Sequence, residues 1–373
     1  MTSMNVNTRI ASVIGRRLTK EQVEAFGAEI DALRARITAD LGQKDLDYIK
    51  SIIRLQRRLE IGGRVGIYAG IVNPLAWIAG VGALGAAKIL DNMEIGHNIM
   101  HGQFDWTNDP ELRGRKFEWD TVCPGDQWRH SHNYMHHTFT NIVGKDRDVG
   151  YGILRMADEQ PWHPGYLLNP VYAFLLATFF QWGVGVHDLE LADLSRGKWK
   201  WSEKKGMVKA FLKKARKQVL KDYVVFPALA GPLFLPVLAG NVVANLIRNY
   251  WTFLIIFCGH FTEGVEMFTE EECENETKAE WYIRQLLGSS NIEGGKWFHI
   301  MSGNLSHQIE HHMFPDVPAN RYAEMAVEVQ AICEKYGLPY NTGSLGKQFG
   351  TVVQRIFRMS LPTVGKPQAS ALA

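Results

Sequence analysis

The chain of 373 residues lacks the features that mark several common classes of protein. Its four cysteines, Cys123, Cys258, Cys273 and Cys333, form no Cys-x-x-Cys pair, which argues against a disulfide framework or an iron–sulfur cluster. A formal net charge of only +2 argues against a general nucleic-acid-binding role. The first residues lack the continuous apolar segment of a secretory signal peptide, and the HExxH pattern of zinc proteases is absent. Information on function must therefore come from long uncharged stretches and from the histidines.

Three stretches are apolar enough to interact with a membrane. Residues 65–90 contain one charged residue, Lys88, and exceed the roughly 20 residues that a helix needs to cross a bilayer. Asn73 and the proline after it predict a break that turns this stretch into two helices. Residues 167–186 and 223–259 are also apolar, and the second is long enough for two crossings. The chain is therefore predicted to be a multi-pass integral membrane protein.

The charge distribution predicts how these stretches are arranged. Residues 195–221 hold eleven Lys and Arg against a single Glu, which places this segment on the cytoplasmic side. The histidines are concentrated in three clusters, at 97–101, 132–137 and 307–312. If all three clusters face one compartment, an even number of crossings must separate the second from the third, so residues 223–259 must cross twice, with a turn near Gly240. Residues 167–186 then lie in the interface or form a re-entrant helix, and residues 60–95 form a hairpin. The predicted fold is all-α, with about four transmembrane helices in two hairpins and a cytosolic helical cap that carries the histidines.

Eight of the 13 histidines fall in three short clusters, which we call box I, box II and box III. Box I holds His97 and His101, box II holds His132, His136 and His137, and box III holds His307, His311 and His312. Spacing at i and i+4 puts two imidazoles on one face of an α-helix, and the next residue lies about 100° away. Each triplet could therefore give two rings to one metal ion and the third ring to a second. Eight nitrogen ligands exceed what one tetrahedral zinc ion uses, so we predict two metal ions.

The two ends of the chain show helical patterns. Residues 18–59 are predicted to form polar helix that packs on the main domain, with Thr19 and Gln22 as a capping box. Residues 318–336 predict an amphipathic helix, and the tail after Pro362 is predicted to be disordered. The predicted domains are residues 1–59, an N-terminal cytosolic helical segment, 60–325, the membrane domain, and 326–373, a C-terminal helix and tail.

The text of the three boxes, HNIMH, HSHNYMHH and SHQIEHHMFP, resembles the three histidine boxes of membrane-bound fatty acid desaturases. The flanking sequence, from about residue 60 to 325, is most similar to actinobacterial acyl-CoA desaturases, while the QxxHH form of box III occurs in front-end desaturases. The resemblance implies a non-haem diiron enzyme that uses O2 and two electrons to put a cis double bond into the acyl chain of an acyl-CoA or acyl-lipid. Two iron ions, cycling between Fe2+ and Fe3+, would be the cofactors. The first likeness favours the ninth bond and the second favours front-end action.

The resemblance also implies a ninth histidine on the last transmembrane helix before box III. His260 occupies that position and is our choice, with His187 as the rival at the end of another apolar stretch. Within box III, His307 and Gln308 compete for the first ligand position, and the repeated HxxxHH spacing favours His307. The expected iron ligands are His97, His101, His132, His136, His137, His260, His307, His311 and His312.

Acidic residues near the boxes are candidates to orient the ligand imidazoles, since such partners are usually carboxylates or carbonyls. They are Asp91, Glu94, Asp146, Asp148 and Glu310. His130, His163 and His299 are assigned to no metal ion.

The expected partners are the acyl substrate, membrane lipids and a separate electron donor. The HPGG haem motif of a fused cytochrome b5 domain is absent, so a ferredoxin or cytochrome b5 type of donor with its reductase must supply electrons. No nucleic acid is expected. Residues 195–221 would attract anionic lipid headgroups, or would dock acyl-CoA phosphates or an acidic electron donor. The resemblance places the enzyme in a bacterial inner membrane with its active site on the cytoplasmic side.

Two other functions compete with desaturation. A diiron membrane hydroxylase of alkanes, sterols or acyl chains would use the same metal architecture, but the NYxEHYG motif of alkane hydroxylases is absent. A membrane metal transporter would place histidines near the bilayer midplane. Here the boxes follow the apolar stretches and lie in polar sequence, which favours an enzyme.

Overall fold

Helices dominate the structure, a computed structural model that describes residues 6–195 and 197–363. The α-helices of the first half are α1 Val6–Ile14, α2 Lys20–Ala39, α3 Gln43–Ala69, α4 Pro74–Ile89, α5 Asn98–Met100, α6 Gly125–Trp128, α7 His137–Phe139, α8 Asn169–Thr178 and α9 Phe180–His187. Those of the second half are α10 Leu191–Ser195, α11 Trp201–Val219, α12 Phe226–Ala228, α13 Phe234–His260, α14 Lys278–Leu287, α15 Lys296–Met301, α16 Gln308–Met313, α17 Tyr322–Tyr336 and α18 Leu345–Ser360.

Three segments are wound as π-helix and join α-helices without a break: π1 Leu90–His97, π2 Arg129–His136 and π3 Leu220–Val225. Short 3-10 turns occur at Asp105–Thr107, Pro110–Leu112, Val149–Gly152, Pro164–Leu168, Gly231–Leu233, Glu271–Cys273, Leu305–His307 and Ala319–Arg321.

The N-terminal helices form the predicted layer against the rest of the chain. The capping box at the start of α2 is confirmed, since Thr19 accepts from the Gln22 backbone N–H and the Gln22 side chain accepts in return. The apolar face of α2 is buried against α14 and α17. Gly27 permits this close approach, because a Cβ there would lie 2.6 Å from the Cβ of Ala279. The predicted polar helix is broken once, between α2 and α3.

The first hairpin, formed by α3 and α4, is confirmed. Asn73 ends the turn, and its side chain accepts the Leu75 N–H at the start of α4. A Cβ on Gly66 would lie 2.8 Å from the Cα of Gly80, so only small residues allow the two helices to pack at this distance. Helix α4 then runs directly into π1 and box I.

The turn predicted near Gly240 is wrong. Helix α13 passes through this position without a break, and Gly240 packs against Ile67 of α3. The chain turns instead at 229–233, where Gly231 has a φ of +56° and Pro232 follows it. Glycine is the residue suited to this left-handed backbone. The turn at Gly231 lies nine residues earlier than the predicted one at Gly240.

Within residues 6–195 and 197–363, two helical stretches are long and apolar enough to cross a membrane: Pro74–Met100, with 27 residues, and Gly231–His260, with 30. A third apolar pair, Pro164–Thr178 and Phe180–His187, is bent by 100°, as a broken span or a re-entrant loop would be. The predicted count of four crossings is thus reached only in part.

A buried ion cluster joins the two hairpins. Lys88 of α4 donates to Asp222 of π3 at 2.7 Å, and the two side chains are only 6% and 2% exposed. Arg64 of α3 lies 3.4 Å from the second oxygen of Asp222, and Asn245 of α13 donates to the first at 3.1 Å. One carboxylate therefore connects four helical segments.

The described residues form a mostly helical fold, as predicted, with one pair of short strands in addition. Strand β1, Asn291–Glu293, pairs in parallel with β2, Thr342–Ser344, and three-residue strands are too short to give a period-two signal. The predicted amphipathic C-terminal helix is confirmed as α17, and α18 follows it unpredicted. The predicted disordered tail, beyond 363, lies outside the described residues. The domain boundaries at 59/60 and 325/326 stay predictions and fall within α3 and α17.

Candidate metal centre

Eight histidines from four segments of the chain converge in one buried cluster. Their ring nitrogens form three overlapping groups of histidines alone, and a fourth group combines His132 and His136 with Asp148; within each group the candidate ligand atoms lie within 4.8 Å of one another. The histidine groups are His97, His101, His132 and His311; His136, His260 and His312; and His137, His311 and His312. We call these residues the eight-histidine cluster. Their grouping is what two adjacent metal ions with nitrogen ligands require.

The winding of box II brings His132 close to His137, in addition to the pair His132 and His136 that the i to i+4 spacing predicts. The segment π2 is closed by i→i+5 hydrogen bonds, which bring residues five apart onto one side of the helix. The Nε2 atoms of His132 and His137 accordingly lie 3.3 Å apart. His132 joins the group of box I, and His136 joins that of His260 and His312. The π-turn therefore distributes one box over both halves of the cluster.

Box III contributes two histidines to the cluster rather than three. Helix α16 begins only at Gln308, and His307 ends a 3-10 turn with a non-helical ψ of 57°. His307 and His311 therefore do not lie on one face of the same α-helix, as their i to i+4 spacing had predicted. The ring of His307 stacks on His299, with centroids 4.5 Å apart, and belongs to none of the three groups. Gln308 takes the place beside the cluster, with its Nε2 2.9 Å from that of His260.

The structure distinguishes between the two rivals for the ninth ligand. His260, the last residue of α13, lies in the cluster, with its Nε2 3.1 Å from that of His312. His187 lies outside it and faces Asp148 at 3.5 Å. His130 stacks on Tyr134, and His163 accepts from the Gly165 N–H.

Hydrogen bonds to Nδ1 fix the orientation of two of the imidazole rings. His136 Nδ1 lies 3.0 Å from Asp146, and His312 Nδ1 lies 3.0 Å from the amide oxygen of Gln285. Strand β1 supports box III, because Asn291 accepts the Ile309 N–H at 2.9 Å. Asn291 also donates to the buried Glu310, at 2.8 Å. Sequence reasoning named Asp146 and Glu310 but missed Gln285 and Asn291, which follow no histidine motif.

Burial favours the neutral form of four imidazoles in the cluster, and this is the form that binds metal ions. Desolvation, with repulsion from neighbouring histidines, holds the pKa of His101, His137, His311 and His312 well below the usual value. The buried Nε2 atoms of His101 and His311 have no hydrogen-bond partner among the described residues. Unpaired buried ring nitrogens are costly, and a metal ion would satisfy them. The residues present therefore fit a centre of two metal ions.

Replacing Asp146 by asparagine is expected to weaken metal binding about 10- to 100-fold. The carboxylate accepts from His136 Nδ1 and from the backbone N–H groups of Asn141 and Asp148, so an amide loses the charge and one acceptor. Metal retained after titration with a chelator measures the effect. Asp126→Asn, at an exposed position of α6, is the matched control and should retain wild-type affinity. Equal metal loss in both variants would contradict the orienting role.

A cavity lies against one side of the cluster. Its walls include the rings of His97, His132, His136 and His260. Apolar side chains supply much of the remaining lining: Met93, Phe180, Val184, Ile256, Phe261 and Leu305. At one margin the lining reaches Trp119, which also borders a groove beside the basic helix α11. An apolar cavity with a metal centre in its wall suits a long hydrocarbon chain.

Comparison with known proteins gives a consistent result. The family model described as fatty acid desaturase matches residues 73–344. The chain is 46% identical over 349 residues to an NADPH-dependent stearoyl-CoA 9-desaturase of Mycobacterium tuberculosis. This alignment covers 92% of this chain and 82% of that protein. It is 26% identical over 358 residues to an sn-1 linoleoyl-lipid 6-desaturase of Synechocystis, covering 87% of this chain and 89% of that protein.

Proposed function

The chain belongs to the fatty acid desaturase family, and we propose that it forms a cis double bond at the ninth position of a saturated fatty acyl-CoA. The observation that carries this proposal is the eight-histidine cluster in the wall of an apolar cavity. The mycobacterial relative, whose name states a CoA-linked substrate and the ninth bond, supports the substrate class and the position. This favours the actinobacterial likeness over the front-end likeness of box III.

Two iron ions held by the eight histidines would supply the activation of O2 that an unactivated C–H bond requires. The protein's own contribution is positioning. The apolar walls hold the acyl chain and exclude water, and the methylene groups beside His97, His132, His136 and His260 are the ones exposed to reaction. The distance along the cavity from its entrance to these rings then determines which bond of the acyl chain is oxidised.

The CoA end of the substrate fits the groove beside α11. Lys213, Lys217 and Arg216 of α11 line this groove together with Lys116 and Arg129. Such cations attract the phosphates of CoA. Lys214 has a structural task in addition, because it donates to the carbonyls of Trp119 and Cys123 at 2.9 and 3.0 Å and fixes the loop between cavity and groove.

The proposed membrane arrangement keeps four crossings, with the histidines on the cytoplasmic side. The helix Pro74–Met100 and the helix Gly231–His260 would be two of them. The second half of α3 and the end of the helix that runs from α11 through π3 to α12 would complete the two hairpins. Exposed apolar side chains support this, namely Ile61, Val65 and Val72 near the first turn and Val224, Val225 and Leu229 near the second.

Expression in a host without desaturases, together with a ferredoxin and its NADPH-dependent reductase, is expected to yield monounsaturated chains with the bond at carbon 9. Mass spectrometry of derivatised fatty acids locates the bond, and a His136→Ala variant should yield none. Hydroxylated chains would instead favour the hydroxylase alternative. Absence of both products from a protein that purifies without iron would contradict the proposal.

A further inference from the structure

The four segments that carry the eight-histidine cluster differ in their access to solvent. Box I is buried from Met93 to Met100, the end of α13 is buried from Phe257 to His260, and every residue of α16 is buried. Only the helix of box II, formed by π2 and α7, has an exposed side. His130, Tyr134 and Thr138 are exposed there at a spacing of four, and we call this surface the box II face.

The box II face is aromatic although it is open to solvent. Tyr134 is 55% exposed, and the ring of His130 stacks on it with centroids 5.8 Å apart. Phe139 packs edge-on against Tyr134, and the ammonium of Lys145 lies 5.6 Å from the Phe139 centroid. Exposed aromatic side chains are typical of the centres of protein interfaces.

Three exposed cations lie in a loop beside this face. Arg129, next to His130, donates to the carbonyls of Gly114 and Phe117, both at 3.1 Å, and so holds the loop of residues 113–116 beside the start of π2. This loop exposes Arg113, Arg115 and Lys116. Among the described residues none of these three cations has a carboxylate within 4 Å. Lys116 also lines the groove beside α11, so Arg113 and Arg115 supply the charge that is available to a protein partner.

We propose that the box II face is the docking site of the electron donor, a small acidic one-electron redox protein. The inference rests on the proposed function, in which R–CH2–CH2–R′ + O2 + 2 e− + 2 H+ gives R–CH=CH–R′ + 2 H2O. The donor is oxidised twice, once for each electron, and its reductase restores it at the expense of NADPH. One helix, about 10–12 Å thick with its side chains, is all that separates this face from His136 and His137. Electron transfer slows steeply with distance, so the exposed side of a ligand-bearing helix is the favourable place for docking.

The experiment measures anaerobic reduction of the oxidised, iron-loaded protein in stopped flow. The probe is a reduced [2Fe–2S] ferredoxin, with dithionite as the small reductant. Tyr134→Ala and the double variant Arg113→Glu/Arg115→Glu are each expected to slow reduction by ferredoxin about 10-fold or more at low salt. The charge effect should shrink at high salt, because screening removes long-range attraction. Reduction by dithionite should keep the wild-type rate in every variant.

Matched controls make the same kinds of change on other helices. Trp297→Ala removes an aromatic ring that is 65% exposed on α15, and Lys20→Glu reverses an exposed charge on α2. Both should keep the wild-type rate with ferredoxin. Wild-type rates in the Tyr134 and arginine variants would overturn the docking site, as would equal slowing with dithionite. A change of oligomeric state without a change in rate would show instead that a second copy covers the face. A wild-type protein that dithionite reduces but ferredoxin does not would exclude this class of donor, and one without reducible iron would overturn the proposed function itself.

Discussion

Replacement of His311 by alanine is expected to lower desaturation by at least about 1,000-fold and to release iron, since a cofactor that supplies the chemistry is lost. His311 belongs to two of the three groups of the eight-histidine cluster, the one with His97, His101 and His132 and the one with His137 and His312. Its side chain is fully buried, and alanine at this position offers no ligand atom to either group. Iron content of the purified protein and product formation by mass spectrometry are the two readouts.

The matched control is His307→Ala, four residues earlier. The same change of residue removes a ring that stacks on His299 and belongs to no group. This variant should keep its iron and most of its activity. Iron loss from His307→Ala as large as that from His311→Ala would show that box III coordinates through three histidines after all.

Replacement of Asp222 by alanine is expected to destabilise the protein by about 3–5 kcal/mol, because it leaves buried cations without their counter-charge. Lys88 is almost fully buried and has Asp222 as its ion-pair partner, and Arg64 faces the same carboxylate. Desolvation makes an isolated ammonium far costlier than the pair. Thermal or denaturant unfolding of the detergent-solubilised protein measures the loss.

Two further variants test this explanation. Combining Asp222→Leu with Lys88→Met removes both charges and should recover much of the lost stability, since apolar replacements of a buried pair are often tolerated. Asp316→Ala breaks an exposed ion pair with Arg34 and should cost no more than about 1 kcal/mol. A loss in the double variant as large as in Asp222→Ala would assign the effect to packing instead of charge.

The sequence allowed prediction of the cluster because its signal is local and chemically specific. Seven of the eight box histidines, and His260 as the ninth candidate, meet in one place. The contact of His132 with His137 was not predictable, because it depends on the π-winding of π2. A π-turn arises from packing against the surrounding structure, and residue spacing alone favours the α-helix. The position of His307 outside the three histidine groups was not predictable for a related reason, since a 3-10 turn precedes α16.

The membrane topology was likewise predictable from the sequence in one hairpin and not in the other. The hairpin of α3 and α4 followed from Asn73 and the proline after it, which are strong turn signals. The second turn was assigned to Gly240. Gly231 carried the stronger turn signal, because Pro232 follows it directly and Pro227 lies four residues before it. Gly240 is small because Ile67 packs on it, and a glycine required by packing cannot be told from a turn glycine without the structure.

The order of the histidines along the chain has a consequence for biosynthesis. His311 and His312 come last, more than 50 positions after His260, and both lie at the junction of the two halves of the cluster. While the ribosome is still translating the membrane helices, boxes I and II are present as partial sites with open nitrogen ligands. Such sites bind Zn2+ and Cu2+ more readily than Fe2+. Which metal ion the cluster holds therefore depends on the ions that the nascent chain meets, and on the completed fold closing around them.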